Sequence, residues 1–268
     1  MAKQNSKKHH FIPQFYIKGF ADENMDVFVY DKEYKKVASA AKKSSQIFYE
    51  MHLHTVKKFG ETSLLIEDSY SELEGMFSQI VTQISEWPSE ILPEIVKDEH
   101  FAKLLIVMMS VQYWRNPQNT GAAKDLGKNL VSLYDQAIKT NIELMPFSRK
   151  DIKYFQKKST DEAVQKFVQF LLLPLITFKL HPAQLKGLKV IRLKNENEFL
   201  CSDTPVMIDS IDSDFNFKGQ VLYPLTKHFA ITNVEGKTLS DFDTVILSHA
   251  KKKIIASSKE RLNLLPLA

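Results

Sequence analysis

The chain has 268 residues, 44% hydrophobic and 25% charged, with Lys plus Arg at 36 against Asp plus Glu at 32, a formal net charge of +4. That is ample for a sizeable core, and the charge excess falls short of the dense basic footprint of a dedicated nucleic-acid binder, although it permits contact with a phosphate backbone. A single cysteine, Cys201, excludes an intramolecular disulfide and a cysteine-built zinc site.

A reducing cytoplasm is therefore the expected setting. Lys3, Lys7 and Lys8 run into His9 and His10 and not into an apolar stretch, so no signal peptide is expected. The longest apolar runs, Leu104 to Val111 and Phe170 to Phe178, are well short of the roughly 20 residues a membrane span requires, so no membrane partner is expected.

In chain order, His9 to Phe20 (HHFIPQFYIKGF) comes first. It joins two adjacent imidazoles to a proline-set turn and an apolar anchor of Phe11, Ile12, Phe15, Tyr16, Ile17 and Phe20. Chain starts are slack unless tied down, so this stretch is expected to dock and to hold His9 and His10 with it. Met25 to Ala40 alternates, with Val27, Val29 and Val37 on one face around an Asp31-Lys32-Glu33 turn, and reads as a hairpin. Gln46 to Thr55 is a second short extended piece, interrupted at Gly60.

From Thr62 the period is helical. Ile66, Tyr70, Leu73, Phe77, Ile80 and Ile84 form one stripe that ends before Pro88. Asp98 caps a second helix through Trp114, nearly apolar all round and therefore central, stopped by Asn116-Pro117. A third covers about Ala122 to Lys139. Ser148 with Asp151, and Ser159 with Glu162, have the spacing of further N-terminal caps, the last leading into Val164 to Phe178, which Pro174 kinks or ends.

After His181-Pro182 the texture turns β-like: Lys189 to Leu193, Phe199 to Ser202, Val206 to Ile208, Gln220 to Tyr223 and Phe229 to Thr232, with a hairpin turn at Asn195 to Glu198. A short helix, Asp241 to His249, and a strand, Ile254 to Ser257, close the pattern. The expectation is one α+β domain over 1–268, with a hook and hairpin in 1–61, a helical block in 62–182 and a β-rich segment in 183–268. Its mostly antiparallel sheet is built from both chain ends and covered by the helical block.

Four places carry polar groups suited to chemistry. His9 and His10 would leave an extended segment on opposite faces, acting as general base, general acid or metal ligand, or else pinning the N-terminus to backbone carbonyls. Gln112 and Arg115 share a helix face, where the guanidinium suits a phosphate or carboxylate; alternatively it caps the helix or pairs with a core carboxylate. Ser202-Asp203-Thr204-Pro205 follows a strand, where Asp203 either orients a histidine or holds a metal, or else forms an Asx-type turn. Glu67 and Glu74, seven residues apart beside the apolar stripe, could bind a divalent ion but are more simply the solvated border of the helix.

His52-x-His54 lacks a sequence-specified third ligand and is set aside. So is an HNH-endonuclease reading, because residues 21 to 45 contain no histidine.

The opening HHFIPQFYIKGF, with QYWRNP at 112–117, FLCSDTPV at 199–206 and YPLT at 223–226, resembles a bacterial family, the domain of unknown function 4238. Its members begin His-His-x-x-Pro-x-x-Tyr-Leu and carry an Arg-x-Pro and a Ser-Asp-x-Pro; Ile17 stands here in place of Leu. The resemblance implies a shared fold and recurring polar residues at His9, His10, Gln14, Tyr16, Arg115, Ser202 and Asp203. It implies no activity.

The expected function is a histidine-dependent phosphodiesterase or nuclease-like hydrolase acting on RNA or another phosphoester. His9 or His10 would move the proton, Asp203 would orient it, and Gln14, Tyr16, Gln112, Arg115 and Ser202 would bind substrate. No metal is specified, a divalent ion being allowed as cofactor. The alternative is a non-catalytic module in which the same groups grip a nucleotide or a partner.

Overall fold

Residues 7–58, 61–141, 145–178, 182–194, 197–213, 215–234 and 238–265 are described in a computed structural model of the chain. Gly60, His181, Asn195 and Glu196, which figure in the expected breaks and turn, lie outside the described residues.

Alternation builds the N-terminal hairpin. Asp26–Asp31 pairs antiparallel with Lys36–Val37, with Tyr30 opposite Val37, and Val27 and Val29 enter the core. The Asp31 carboxylate opens the turn by accepting the backbone N–H groups of Glu33 and Tyr34 at 3.1 and 3.2 Å. This hairpin forms one side of a five-stranded sheet ordered Lys36–Val37, Asp26–Asp31, Lys253–Ala256, Cys201–Ser202, with Lys42–Lys43 also paired to Asp26–Asp31. Both chain ends thus meet in one sheet.

The other C-terminal strands form a separate antiparallel sheet ordered Met207–Ile211, Phe217–Pro224, Phe229–Thr232, Lys189–Arg192. Two small ladders remain, Lys8–His10 with Tyr49–Met51 and Val56–Lys58 with Glu61–Ser63. The class is α+β, as expected, but among the described residues the single expected sheet is four. Short apolar runs specify a strand without specifying its neighbour, which tertiary packing decides.

The long helix is Leu65–Glu86, burying Ile66, Tyr70, Phe77, Ile80 and Ile84. It begins after Thr62 because Glu61–Ser63 is drawn into a ladder with Val56–Lys58. Asp98 caps Glu99–Arg115, accepting the Phe101 N–H at 2.7 Å, and this helix is buried almost all round. The expected third helix is broken at Gly127 into Thr120–Leu126 and Leu130–Asn141, the residue with the weakest hold on helical backbone short of proline. Ser148 and Asp151 form a capping box ahead of Arg149–Lys157. The next helix, Glu162–Phe167, is capped by Asp161, not by Ser159.

Pro174 acts before it is reached. The helix widens into a π turn over Val168–Leu172 and resumes as Leu173–Ile176. Proline has no N–H for the Phe170 carbonyl four residues earlier, and the Tyr70 hydroxyl donates to that carbonyl instead at 3.0 Å. Two short helices, Gln14–Lys18 and Lys259–Asn263, were not anticipated. Buried apolar side chains from Ile12 to Leu265 form one contiguous cluster. Among the described residues no helix is long and apolar enough to cross a membrane.

Candidate functional site

The N-terminal hook is docked as its sequence demands. Pro13 leads into Gln14–Lys18, and Ile12, Ile17 and Phe20 are fully buried. Gly19 permits the close approach: a Cβ there would stand 3.2 Å from Thr226 Cγ2, and the Lys227 N–H donates to its carbonyl at 2.9 Å. In front of the hook, His9 pairs with Glu50 and His10 with Tyr49, so the two rings leave the strand on opposite faces.

His9 is buried and its Nδ1 accepts the His54 backbone N–H at 2.7 Å. A neutral His9 therefore carries its hydrogen on Nε2. The His54 ring stacks on it, centroids 5.2 Å apart, and His54 Nδ1 lies 2.5 Å from Glu67 Oε1. Glu67 Oε1 is also 3.9 Å from His9 Nδ1.

Three elements supply this cluster: the Lys8–His10 strand, the turn after Tyr49–Met51 and the first turn of Leu65–Glu86. That helix start suits an anionic Glu67. The turn is fixed from below, where Lys166 Nζ donates to the carbonyls of His52 and Thr55 at 3.1 and 2.9 Å.

Burial drives the His54 pKa down to about 4, against the opposing pull of Glu67, so this imidazole is neutral near pH 7. Burial pushes the Glu67 carboxyl up, but its bond to His54 and the nearby charges outweigh that and leave it below its ordinary value. Glu67 therefore carries a full negative charge. His54 meets the rings of Tyr70 and Phe170 nearly at right angles, 5.0 and 4.8 Å away, and its Nε2 is buried with no hydrogen-bond partner among the described residues. The cluster opens on a cleft of about 230 Å³ rimmed by Lys7, Lys57, Thr62 and Ser63.

The other face of the strand is held by Arg115. Arg115 is 5% exposed; its Nε donates to the His10 carbonyl at 2.9 Å, one terminal nitrogen meets Glu74 at 2.6 Å, and its plane lies 4.4 Å over the Tyr70 ring. Gln112 donates to the Phe11 carbonyl at 3.0 Å. His10 packs edge-on against Tyr49. Its pKa is lowered, by burial first and by Arg115 second. Gln112 and Arg115 thus hold the N-terminal main chain. Arg115 does not face the lysine-rimmed cleft, and its fork is engaged by His10 and Glu74.

The structure does not give Asp203 the role of orienting a histidine. Its two carboxylate oxygens accept the backbone N–H groups of Lys251, Lys252 and Lys253 at 2.9, 2.7 and 3.2 Å, and its carbonyl accepts from Asn116 Nδ2 at 2.7 Å. A carboxylate so occupied anchors a turn, because short polar side chains after a strand compete well for main-chain amides. Ser202 Oγ likewise bridges the backbone of Thr204.

Gln14 accepts from Ser44 Oγ at 3.2 Å. The Tyr16 hydroxyl donates to the Pro224 carbonyl, its ring stacked on Tyr223, and burial raises its pKa well above the ordinary value. The carboxylate beside the histidines is Glu67.

Residues 8–260 match the family described as "Protein of unknown function (DUF4238)". The chain belongs to DUF4238. No curated protein matches it, and no solved structure does.

Of the residues given a catalytic or substrate-binding role in the expected mechanism of this DUF4238 chain, only His9 lines the lysine-rimmed cleft; His10, Gln14, Tyr16, Gln112, Arg115, Ser202 and Asp203 fasten chain segments together. Two residues of the cluster, Glu67 and His54, are weighed in the sequence as metal ligands and given no role in the expected mechanism. Glu67 reads as a solvated helix border and His54 as half of an incomplete pair, since the third member lies on another element. One signal did point to them: a carboxylate one position past a buried stripe residue, Ile66, and a histidine in a turn-rich piece close to the helix start.

Proposed function

We propose that this chain is a histidine-dependent phosphodiesterase or nuclease-like hydrolase whose working groups are His9, His54 and Glu67. The observation that carries the reading is the convergence of two imidazoles and a charged carboxylate on a cleft edged by Lys7 and Lys57. Hydrolysis of a phosphoester needs a water attacking phosphorus, a proton carried to the departing oxygen as the P–O bond breaks, and cations facing the phosphoryl oxygens. The imidazolium form of His9 suits the donor to the departing oxygen, and the Glu67 carboxylate suits the acceptor of the attacking water's proton. Glu67 holds His54 in place, and the two lysines suit the phosphate. A neighbouring cleft shares His52, Thr55 and Lys57, which favours an extended substrate such as RNA. A cytoplasmic setting belongs to the same reading, supported by the single, buried Cys201.

The test compares wild type with His9→Ala and Glu67→Gln on RNA, DNA and a generic phosphodiester, with and without divalent metal. Both variants are expected to lose at least about 100-fold in kcat/KM, in keeping with the usual contribution of a general acid or base. Undiminished turnover in both would overturn the reading. Tight nucleotide binding without turnover by wild type would replace it with the non-catalytic binding module.

A further inference from the structure

We propose that His9, His54 and Glu67 form a binding site for one divalent transition-metal ion of the zinc class, open to the cleft. The inference goes beyond phosphoester hydrolysis, since the ion would bind whether or not that chemistry follows. One ligand atom from each of the three residues lies within 4.8 Å of the other two. Ligands around a tetrahedral zinc at about 2.0–2.2 Å stand about 3.4 Å apart. Shifts of about 1 Å in the three side chains, with His9 Nδ1 turning its lone pair from the His54 backbone N–H to the ion, therefore convert the cluster into a coordination sphere, within what small rotamer changes supply.

The donor set selects the ion. Two imidazoles and one carboxylate suit zinc and its neighbours in the first transition row and do not suit calcium or magnesium, which favour all-oxygen shells. Three protein ligands beside an open cleft leave a position for water, the arrangement of catalytic and not of structural zinc.

His54 supplies an independent observation. Its ring is 1% exposed, and Nε2 is buried with no hydrogen-bond partner among the described residues, while Nδ1 faces Glu67 at 2.5 Å. A neutral imidazole has one ring hydrogen. On Nδ1 it satisfies Glu67 but leaves a bare nitrogen sealed among aromatic rings; on Nε2 it leaves a lone pair opposed to a carboxylate.

A cation between Nδ1 and Glu67 resolves the conflict. The Nδ1 lone pair goes to the metal, the ring keeps its single hydrogen at Nε2 beside the Tyr70 and Phe170 rings, and no proton is released. An N–H near a π face is a weak but favourable contact. Tyr70 and Phe170 also make the dry wall that strengthens coordination. Glu67, 35% exposed along its side chain, gives the ion its way in.

The experiment uses the full chain, dialysed against a chelator and titrated with Zn2+ by calorimetry and with Co2+ by visible absorption. One ion per chain is expected, with the intense ligand-field bands of low-symmetry Co2+. Glu67→Gln and His9→Ala should each weaken binding at least about tenfold, and the exposed His228→Ala should leave it unchanged. Zn2+ should raise the melting temperature of wild type and not of Glu67→Gln. Should His9→Ala fail to fold, Glu67→Gln decides, because the amide keeps the size and hydrogen-bonding reach of the carboxylate.

Absence of saturable binding to wild type, or equal binding by wild type and Glu67→Gln, would overturn the site. Stoichiometric zinc without hydrolysis would defeat the hydrolase and leave the site standing. Hydrolysis without zinc binding would do the reverse.

Discussion

The two faces of the short Lys8–His10 strand divide the buried polar groups into two kinds. On the His10 side, Arg115 and Gln112 spend donors on main-chain carbonyls, and the guanidinium is sealed under Tyr70 and Glu74. On the His9 side, two rings converge on a partly exposed carboxylate at the mouth of a lysine-rimmed cleft. Polar groups answered by backbone fix architecture, whereas side chains that answer one another beside solvent are arranged for a ligand. Tyr70 lies between them, touching His54 and Arg115 alike.

The comparison can be broken by substitution. The largest stability effect is expected at Asp203, away from both faces. Asp203→Ala removes a buried carboxylate from the three backbone amides of Lys251, Lys252 and Lys253 and should cost about 4 kcal/mol in urea unfolding, with no change in zinc affinity of the chain that remains folded. Arg115→Ala strips the clamp from the His10 face and leaves Glu74 without its cation, about 3 kcal/mol by the same measurement, since Glu74 is partly solvated. Should Arg115→Ala abolish zinc binding at full stability, the division between the faces fails.

Tyr16→Phe removes one hydroxyl from the Pro224 carbonyl and should cost about 1 kcal/mol, read as a small fall in melting temperature. Glu67→Gln sits at the other extreme, with less than about 1 kcal/mol of stability lost and metal binding impaired. A large destabilisation there would move Glu67 into the architectural group.

Much of the fold was legible because its signals are local. The stripe from Ile66 to Ile84, the Asp98 cap and the Ser148–Asp151 box depend on neighbours a few residues away, and each appears where its spacing puts it. What escaped depends on distant partners. Thr62 joins a strand because Lys57 is across from it, and the C-terminal runs split between sheets according to what packs over them.

The site follows the same rule. His9 is conspicuous for its place in a motif, while Glu67 and His54 acquire meaning only when three separated elements meet. Asp203 misled for a related reason: an Asp before Thr-Pro at a strand exit has the same local pattern whether its carboxylate meets a ring or a row of amides.

Consecutive histidines on opposite faces also make the site depend on counting. The ladder is bracketed by the His52 N–H to the Lys7 carbonyl and by the Phe11 N–H to the Phe48 carbonyl, at 2.8 and 2.9 Å. Sliding this segment by one residue would present His10 to Glu67 and deliver His9 to the Arg115 clamp. The distance in residues from His9 to the helix at Gln14 is thus a specification in its own right. A single inserted residue between His10 and Pro13 would keep every side chain of the cluster in the sequence and still exchange the ring that faces Glu67 for the ring that does not.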